Sequence, residues 1–395
     1  MEATRPLSAD TRTIALLCGH FGPKRGSAKP LTPTEYHRFI HWLEDKKLSL
    51  EDLLDSGRLD VVRTYNDKDV SGQRLLDLLA RGAWFTQALD RWTRACIWVM
   101  SEKDADYPMR LQQRLKAAGS PLLFGAGARY LLNQGGACIV GSRDSTEAGL
   151  GFARALASRC GKDGMTVISS DMRGVDREAI TAALGAGGKV ASVVSDSLEK
   201  AVIAKRNRDA LAAGSLVLVT PFAPDTRFSV SNAMRANKYQ YTLSDVAVIV
   251  ETRRHGGVWS GADENRNEGW VPAFIRVGEQ MSPGNTALLH LGLLPITEED
   301  VRGCNNLTTL LSANSAGNTR TFVNASAAAT HTVDLFAIFL AELMNLVATE
   351  PRTEADIVRH FAIERGQARK WLTRAIDENK IEKVDSTTRY RRKGD

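Results

Sequence analysis

The sequence predicts an α/β protein: a Rossmann-like, doubly wound, mostly parallel sheet flanked by an N-terminal helical module and a C-terminal winged-helix domain. Three observations carry this. Between 137 and 275, six short apolar runs rich in β-branched residues are separated mostly by helix-length segments, the pattern of buried strands in βαβ units. Before them the hydrophobic spacing is helical. After 332, three helical patterns precede two short basic strand patterns, the order of a winged helix. A chain of 395 residues has room for two or three domains, each with its own core.

The N-terminal module, 1–109, carries Thr32-Pro33-Thr34-Glu35, which combines an N-cap, a proline at the first helical position and the glutamate of a capping box. Tyr36, Phe39, Ile40 and Leu43 come next at helical spacing, with further helical patterns at 50–54 and 72–95. Their apolar faces are too small to stand alone, so the module is expected to pack on the core domain C-terminal to it. The Rossmann-like core, 110–300, has its strand runs at 137–140, 165–168, 189–194, 216–219, 246–250 and 271–275, with helices such as 146–159 and 176–184 between them. Residues 301–331, rich in Asn, Ser, Thr, Ala and Gly, read as a linker. The winged-helix domain, 332–395, comprises an apolar helix at 333–347 and a short helix capped by Thr353. A third helix at 365–379 places Ala368, Trp371, Leu372, Ala375 and Ile376 on one face, and a wing of 381–384 and 388–392 turns at Asp385-Ser386.

Composition narrows the function. With 43% hydrophobic and 25% charged residues the chain is an ordinary globular protein. The most apolar long stretch, 333–347, contains Asp334, Glu342 and Asn345 and is too short to span a bilayer. The apolar run 13–18 is too short for a signal-peptide core, so a cytoplasmic protein is expected. Five cysteines, at 18, 96, 138, 160 and 304, form no close pair and read as buried free thiols. The seven histidines show no metal spacing, and no nucleophile elbow, Walker lysine or paired-carboxylate motif occurs. No catalytic residue, metal or cofactor is therefore expected. The net charge is +6, and the last 45 residues hold 12 Lys/Arg against 8 Asp/Glu. A basic C-terminal segment reads first as a nucleic-acid surface.

Two strand-to-helix junctions stand out. Val140-Gly141-Ser142-Arg143-Asp144-Ser145-Thr146 ends a strand with small residues and an arginine ahead of a helix, a place for an anion against free N–H groups. A tight turn with Arg143 in a surface ion pair is the structural alternative. Ile168-Ser169-Ser170-Asp171-Met172-Arg173-Gly174-Val175-Asp176 lies on the same rim, so the two loops are expected to form a crevice at the carboxyl ends of the strands. The economical role of Asp176 is the N-cap of its helix. Later, the glycine-rich stretch from Gly256 to Ala262 offers backbone to a base or sugar, while Trp259 is either a stacking face or a core aromatic.

Taken in order, these segments resemble the DprA/Smf family of DNA-processing proteins. The resemblance runs from about residue 30 to 395 through Tyr107-Pro108, Pro121-Leu122-Leu123-Phe124, Gly141-Ser142-Arg143, and Ser169 with Gly174-Val175-Asp176. It continues through 232–244, the stretch from Gly256 to Ala262, Gly284-Asn285 with Leu288-Leu289, and the terminal winged helix. It implies a non-hydrolytic homodimer that binds single-stranded DNA in a basic rim pocket and loads a recombinase. By position, Gly141, Ser142 and Arg143 face phosphates, with Ser169 in the same site. Gly174 lets the backbone approach, Asn237 and Lys238 line the groove, Arg173 and Arg235 lie nearby, and Gly257 represents the glycine-rich stretch.

Two departures bear on that pocket. Asp171 stands where the family has small residues, and Ala236 where it has an arginine. One anion gained and one cation lost are expected to weaken phosphate binding. For the winged helix, Lys370 and Arg374 on the third helix and Arg389, Arg391 and Arg392 on the wing suit duplex DNA; docking to a protein is the alternative use. Two other classes stay open: an antitoxin-like partner of a toxin encoded beside it in a phage-defence operon, and a sensor or enzyme for a nucleotide derivative.

Overall fold

In the computed structural model the described residues are 6–22, 27–312 and, with short breaks, 339–392. They belong to two compact units, Met1–Ala316 and Gly317–Asp395.

In the first unit the predicted capping box is present. The Thr32 hydroxyl accepts the Glu35 N–H, Glu35 accepts the Thr32 N–H, and the helix Pro33–Asp45 begins there. The helical pattern at 72–95 is two helices, Gly72–Leu79 and Gly82–Arg94, and 50–54 contains only the 3-10 turn Glu51–Leu54. A short hairpin, β1 (Asn66–Asp67) and β2 (Val70–Ser71), precedes them. Ile14, Tyr36, Phe39, Leu75 and Trp92 share one continuous apolar core with Phe124, Ile139, Val167 and Leu216 of the sheet. Burial of the small apolar helix faces thus comes from the sheet, as their size requires.

All six predicted runs form strands: β5 (Ala137–Val140), β6 (Val167–Ser169), β7 (Val190–Val193), β8 (Leu216–Thr220), β9 (Val246–Ile249) and β10 (Ala273–Arg276). Three more were not anticipated, β3 (Trp98–Ser101), β4 (Leu122–Gly127) and β11 (Leu294–Ile296). The sheet order is β11-β10-β9-β5-β6-β7-β8-β4-β3; β5 to β11 pair in parallel, whereas β4 runs antiparallel to both β8 and β3. β4 carries Gly125, where a Cβ would stand 2.4 Å from the Leu218 carbonyl oxygen and 2.3 Å from the Trp98 ring. A glycine that reads locally as a strand breaker is here a requirement of close strand and ring approach. β11 has Pro295 at its centre, as an edge strand tolerates.

From β5 the chain winds outward through β6, β7 and β8, then returns to β9 on the other side of β5 and continues to β10 and β11. This doubly wound order leaves the carboxyl ends of β5, β6, β7 and β9 on one rim, where such sheets bind ligands.

The composition-based linker requires correction at its start. Residues 301–312 pack on the first unit: Val301, Leu307 and Leu311 are buried in its core, and the Arg159 guanidinium binds the carbonyls of Cys304 and Asn305. Leu307 and Leu311 form an i,i+4 apolar pair that the surrounding polar composition masked. The remainder, 313–331, lies outside the described residues.

In the second unit, Thr353 and Asp356 form a reciprocal cap at the start of the helix Glu354–Phe361, and Arg365–Asp377 is the next helix. β13 (Ile381–Val384) and β14 (Arg389–Arg392) pair antiparallel, as the wing pattern predicted, and β12 (Arg352–Thr353) adds a third strand. Phe339, Leu343, Ile357, Leu372, Ala375, Ile381 and Tyr390 form this unit's core. Much of the expected helix 333–347 and the turn at Asp385-Ser386 lie outside the described residues. None of the cysteines is paired; Cys138 and Cys160 are buried as expected, whereas Cys96 is exposed.

Candidate nucleic-acid interface

The two rim loops meet. Gly174 has φ +90°, and a Cβ there would lie 2.4 Å from the Ser142 carbonyl oxygen, so only glycine lets the second loop close on the first. The Val175 N–H reaches that same oxygen at 3.4 Å. Gly141 is matched to the contact, because its Cβ would stand 2.6 Å from the Val175 side chain. Gly174, expected to let the backbone approach DNA, and Gly141, expected to face phosphates, thus both make room for the neighbouring loop. Ser142 sits at the junction, its N–H donating to the Glu251 carbonyl.

Asp176 seals this junction, and its predicted role is corrected. The N-cap is Gly174, without a side-chain cap; Asp176 is one turn position inside the helix Val175–Gly185 and points inward. Its carboxylate accepts the Gly141 N–H at 3.1 Å and the Ser170 hydroxyl. It is 6% exposed, and burial pushes its pKa up to about 7 against the opposing pull of those hydrogen bonds. Ser169 also departs from expectation. It is fully buried and its hydroxyl donates to the Ile139 carbonyl at 2.7 Å, joining β6 to β5 rather than facing a phosphate.

The helix start after the first loop is no open anion place either. Thr146 caps the helix Glu147–Lys162, accepting the Gly149 N–H, and the Glu251 carboxylate accepts both the Thr146 N–H at 3.1 Å and its hydroxyl at 2.8 Å. The chain's own anion occupies the position that the sequence pattern offers to a ligand.

Beside this junction, over the carboxyl ends of β6 and β7, is a cavity of about 520 Å³. Arg143, Arg173, Arg177, Lys200 and Arg206 line it together with Asp171, Asp196 and Phe228. Of the predicted residues it gathers Arg143 and Arg173; Arg177, Lys200, Arg206 and Phe228 were missed. Arg177 lies four positions after Arg173, and Lys205-Arg206-Asn207-Arg208 is a basic cluster after the third predicted strand. Those were the available signals. Arg206 is placed by an elbow between the helices Leu198–Ile203 and Lys205–Ala212, where the buried Asn207 side chain donates to the Ala201 carbonyl at 2.9 Å.

Asp171 behaves differently from a bare anion beside a phosphate site. It pairs with Arg206 through two guanidinium nitrogens and with Arg177 at 3.4 Å, bracing the cavity wall. Arg173 pairs with Asp144, which Arg253 also approaches at 3.6 Å. Arg143 and Lys200 have no ion pair among the described residues; the Arg143 guanidinium stands 5.2 Å from the Phe228 ring centre, and Phe228 is 44% exposed.

Other predicted residues lie apart from the cavity lining. The Asn237 side chain donates to the Gly257 carbonyl at 2.8 Å and so ties the helix Val230–Leu243 to the start of Gly257–Glu268; Lys238 approaches Glu264. Arg235 is exposed over the Phe222 ring. Ala236 is buried with Tyr107, Leu111 and Tyr239, so this position faces the core and its lack of charge removes no surface cation. Trp259 packs against the apolar cluster of β9 and β10. In the second unit Lys370 and Arg389 are exposed, Arg374 pairs with Glu378 at 2.9 Å and Arg391 with Glu382 at 2.7 Å; Arg392 closes β14.

The first unit is therefore a doubly wound α/β binding protein with a cation-lined cavity at the carboxyl rim of its parallel strands. The chain belongs to the DNA recombination-mediator protein A family, whose sequence model matches residues 98–314, more than half of it. Membership places it among DNA-binding proteins of DNA processing and recombination. Among solved structures it is similar to DNA processing protein A (DprA) from Streptococcus pneumoniae, with 17% identity, a TM-score of 0.54, and coverage of 76% of this chain and 98% of that one; the likeness shows the fold. DNA processing protein A from Helicobacter pylori, described for its single-stranded DNA binding mode, matches at 20% identity over 52% of this chain and 93% of its own, with a TM-score of 0.45. A molybdenum cofactor carrier protein from Chlamydomonas reinhardtii matches at 19% identity over 45% and 97%, with a TM-score of 0.31. No curated protein matches the chain. No described helix is long and apolar enough to cross a membrane.

Proposed function

We propose that the protein binds single-stranded DNA at the basic rim of the first unit and does so without turning it over. The observation that carries this reading is the cavity, where Arg143 and Lys200 have no ion pair among the described residues and stand beside an exposed Phe228. Cations supply the sequence-independent part of nucleic-acid affinity, and an aromatic face takes a base of any identity. Asp176, whose pKa is pushed up to about 7 by burial, is committed to the Gly141 N–H and the Ser170 hydroxyl and is given no part in the proposed binding.

Fluorescence anisotropy with a labelled single strand across a salt series tests the reading. Affinity should fall with salt by about 0.7 log units per log unit for each phosphate contacted. Arg143→Ala with Lys200→Ala should reduce both affinity and slope, leaving the melting temperature near the parent's. Failure to bind at low salt, or an unchanged slope in the double variant, rejects this site.

A further inference from the structure

We infer that the cavity takes a terminal phosphomonoester of a nucleotide, so that a strand end bearing a phosphate is held there in preference to the strand interior. This rests on the single-strand reading above and narrows its ligand.

Size is the first argument. A space of about 520 Å³ suits one nucleotide-sized group and not a run of several. Charge is the second. Five cationic side chains face two carboxylates in the lining; Asp171 is held by Arg177 and Arg206, and Asp144 beside the cavity takes up Arg173, so the net excess is about two positive charges. A phosphodiester brings one negative charge, whereas a phosphomonoester brings roughly −1.5 to −2 at neutral pH and three acceptor oxygens. The larger charge matches the excess. Arg206 retains N–H donors beyond those on Asp171, and Lys200 and Arg143 approach from other segments with no ion pair among the described residues.

The wall itself adds a third argument. The helix Lys205–Ala212 begins with two cations, and its N-cap, Ala204, has no side-chain acceptor. Cations at that end oppose the helix dipole. Asp171 offsets part of this, and an anion in the cavity offsets more. At the mouth, Phe228 is 44% exposed, and the ring surface that Arg143 leaves open offers a face for the terminal base.

The test uses the full chain and oligonucleotides of one sequence, labelled at the opposite end and carrying a 5′-phosphate, a 3′-phosphate or hydroxyls only. One phosphorylated end should bind about fivefold tighter than the hydroxyl strand at low salt, the effect of one further charge at contact distance. Lys200→Ala and, separately, Arg206→Ala should collapse that ratio toward one. Lys200 is exposed and has no ion pair among the described residues, so its variant stays interpretable even where Arg206→Ala loosens the wall. Equal binding of all three strands overturns the inference and leaves single-strand binding standing, as does a preference that both variants retain. If no oligonucleotide binds, the single-strand reading fails; calorimetry with AMP against adenosine then decides the cavity. Selective AMP binding supports the phosphomonoester chemistry with a free nucleotide as its source, and no binding of AMP overturns it.

Discussion

Two neighbouring places on the same rim treat an anion in opposite ways. At the start of the helix Glu147–Lys162, Glu251 of the loop after β9 takes the Thr146 N–H and hydroxyl, so the phosphate-like position is filled from within. In the adjoining cavity Asp171 satisfies Arg177 and Arg206 only in part, while Arg143 and Lys200 remain without an ion pair among the described residues. The lesson is electrostatic. A small-residue turn ahead of a helix specifies that an anion belongs there, but whether the chain or a ligand supplies it depends on what another loop brings.

The largest expected effect breaks the junction that sets both places. Gly174→Ala forces a Cβ against the Ser142 carbonyl at a left-handed φ, and should cost about 4 kcal/mol of unfolding free energy. Urea denaturation measures it; a loss below about 1 kcal/mol would show that the loops separate freely.

Asp176 sharpens the same comparison through pH. In the folded chain burial keeps it protonated up to about pH 7, whereas its ordinary value is 3.8. Between these the folded state binds more protons than the unfolded, so this group's contribution to stability falls as pH rises from about 4 to 7 and is level above. Asp176→Asn cannot ionise; its carbonyl oxygen keeps an acceptor for the Gly141 N–H, and the Ser170 hydroxyl, which donates to Asp176, turns to accept from the new amide. Relative to the parent it should gain about 2–4 kcal/mol between pH 4 and pH 8. Parallel stability curves for the two proteins would count against a buried, protonated Asp176.

Smaller effects separate the two anion places directly. Arg143→Ala should weaken single-strand binding by about fivefold with little change in melting temperature, since it is exposed and has no ion pair among the described residues. A stability loss without an affinity loss would make Arg143 structural. Glu251→Gln should cost about 1 kcal/mol, the scale of a weakened cap. It should also raise single-strand affinity by about twofold, because it removes one like charge from the rim. Unchanged affinity would mean that DNA does not come near the loop after β9.

Much of the fold was legible before any coordinates. The six parallel strands announce themselves because strands buried on both faces are continuous apolar runs, and the Thr32 and Thr353 caps are strictly local chemistry. β4 was not legible, since its Gly125 serves close contacts with Trp98 and Leu218, which are remote in sequence. The site was half legible. Arg143 and Arg173 lie in motifs, whereas Lys200 and Arg206 reach the cavity through an elbow built on Asn207.

The doubly wound class, the cap positions and the basic character of the rim are written in the chain, because they arise from periodicity, local hydrogen bonding and summed charge. Which charges are already satisfied was settled by packing alone. It turned Ser169 and Asp176 inward, set Ala236 in the core, placed Glu251 on the helix start and gave Asp171 two arginines. Ion pairs and burial are relations between segments distant in the chain, so no local pattern specifies them.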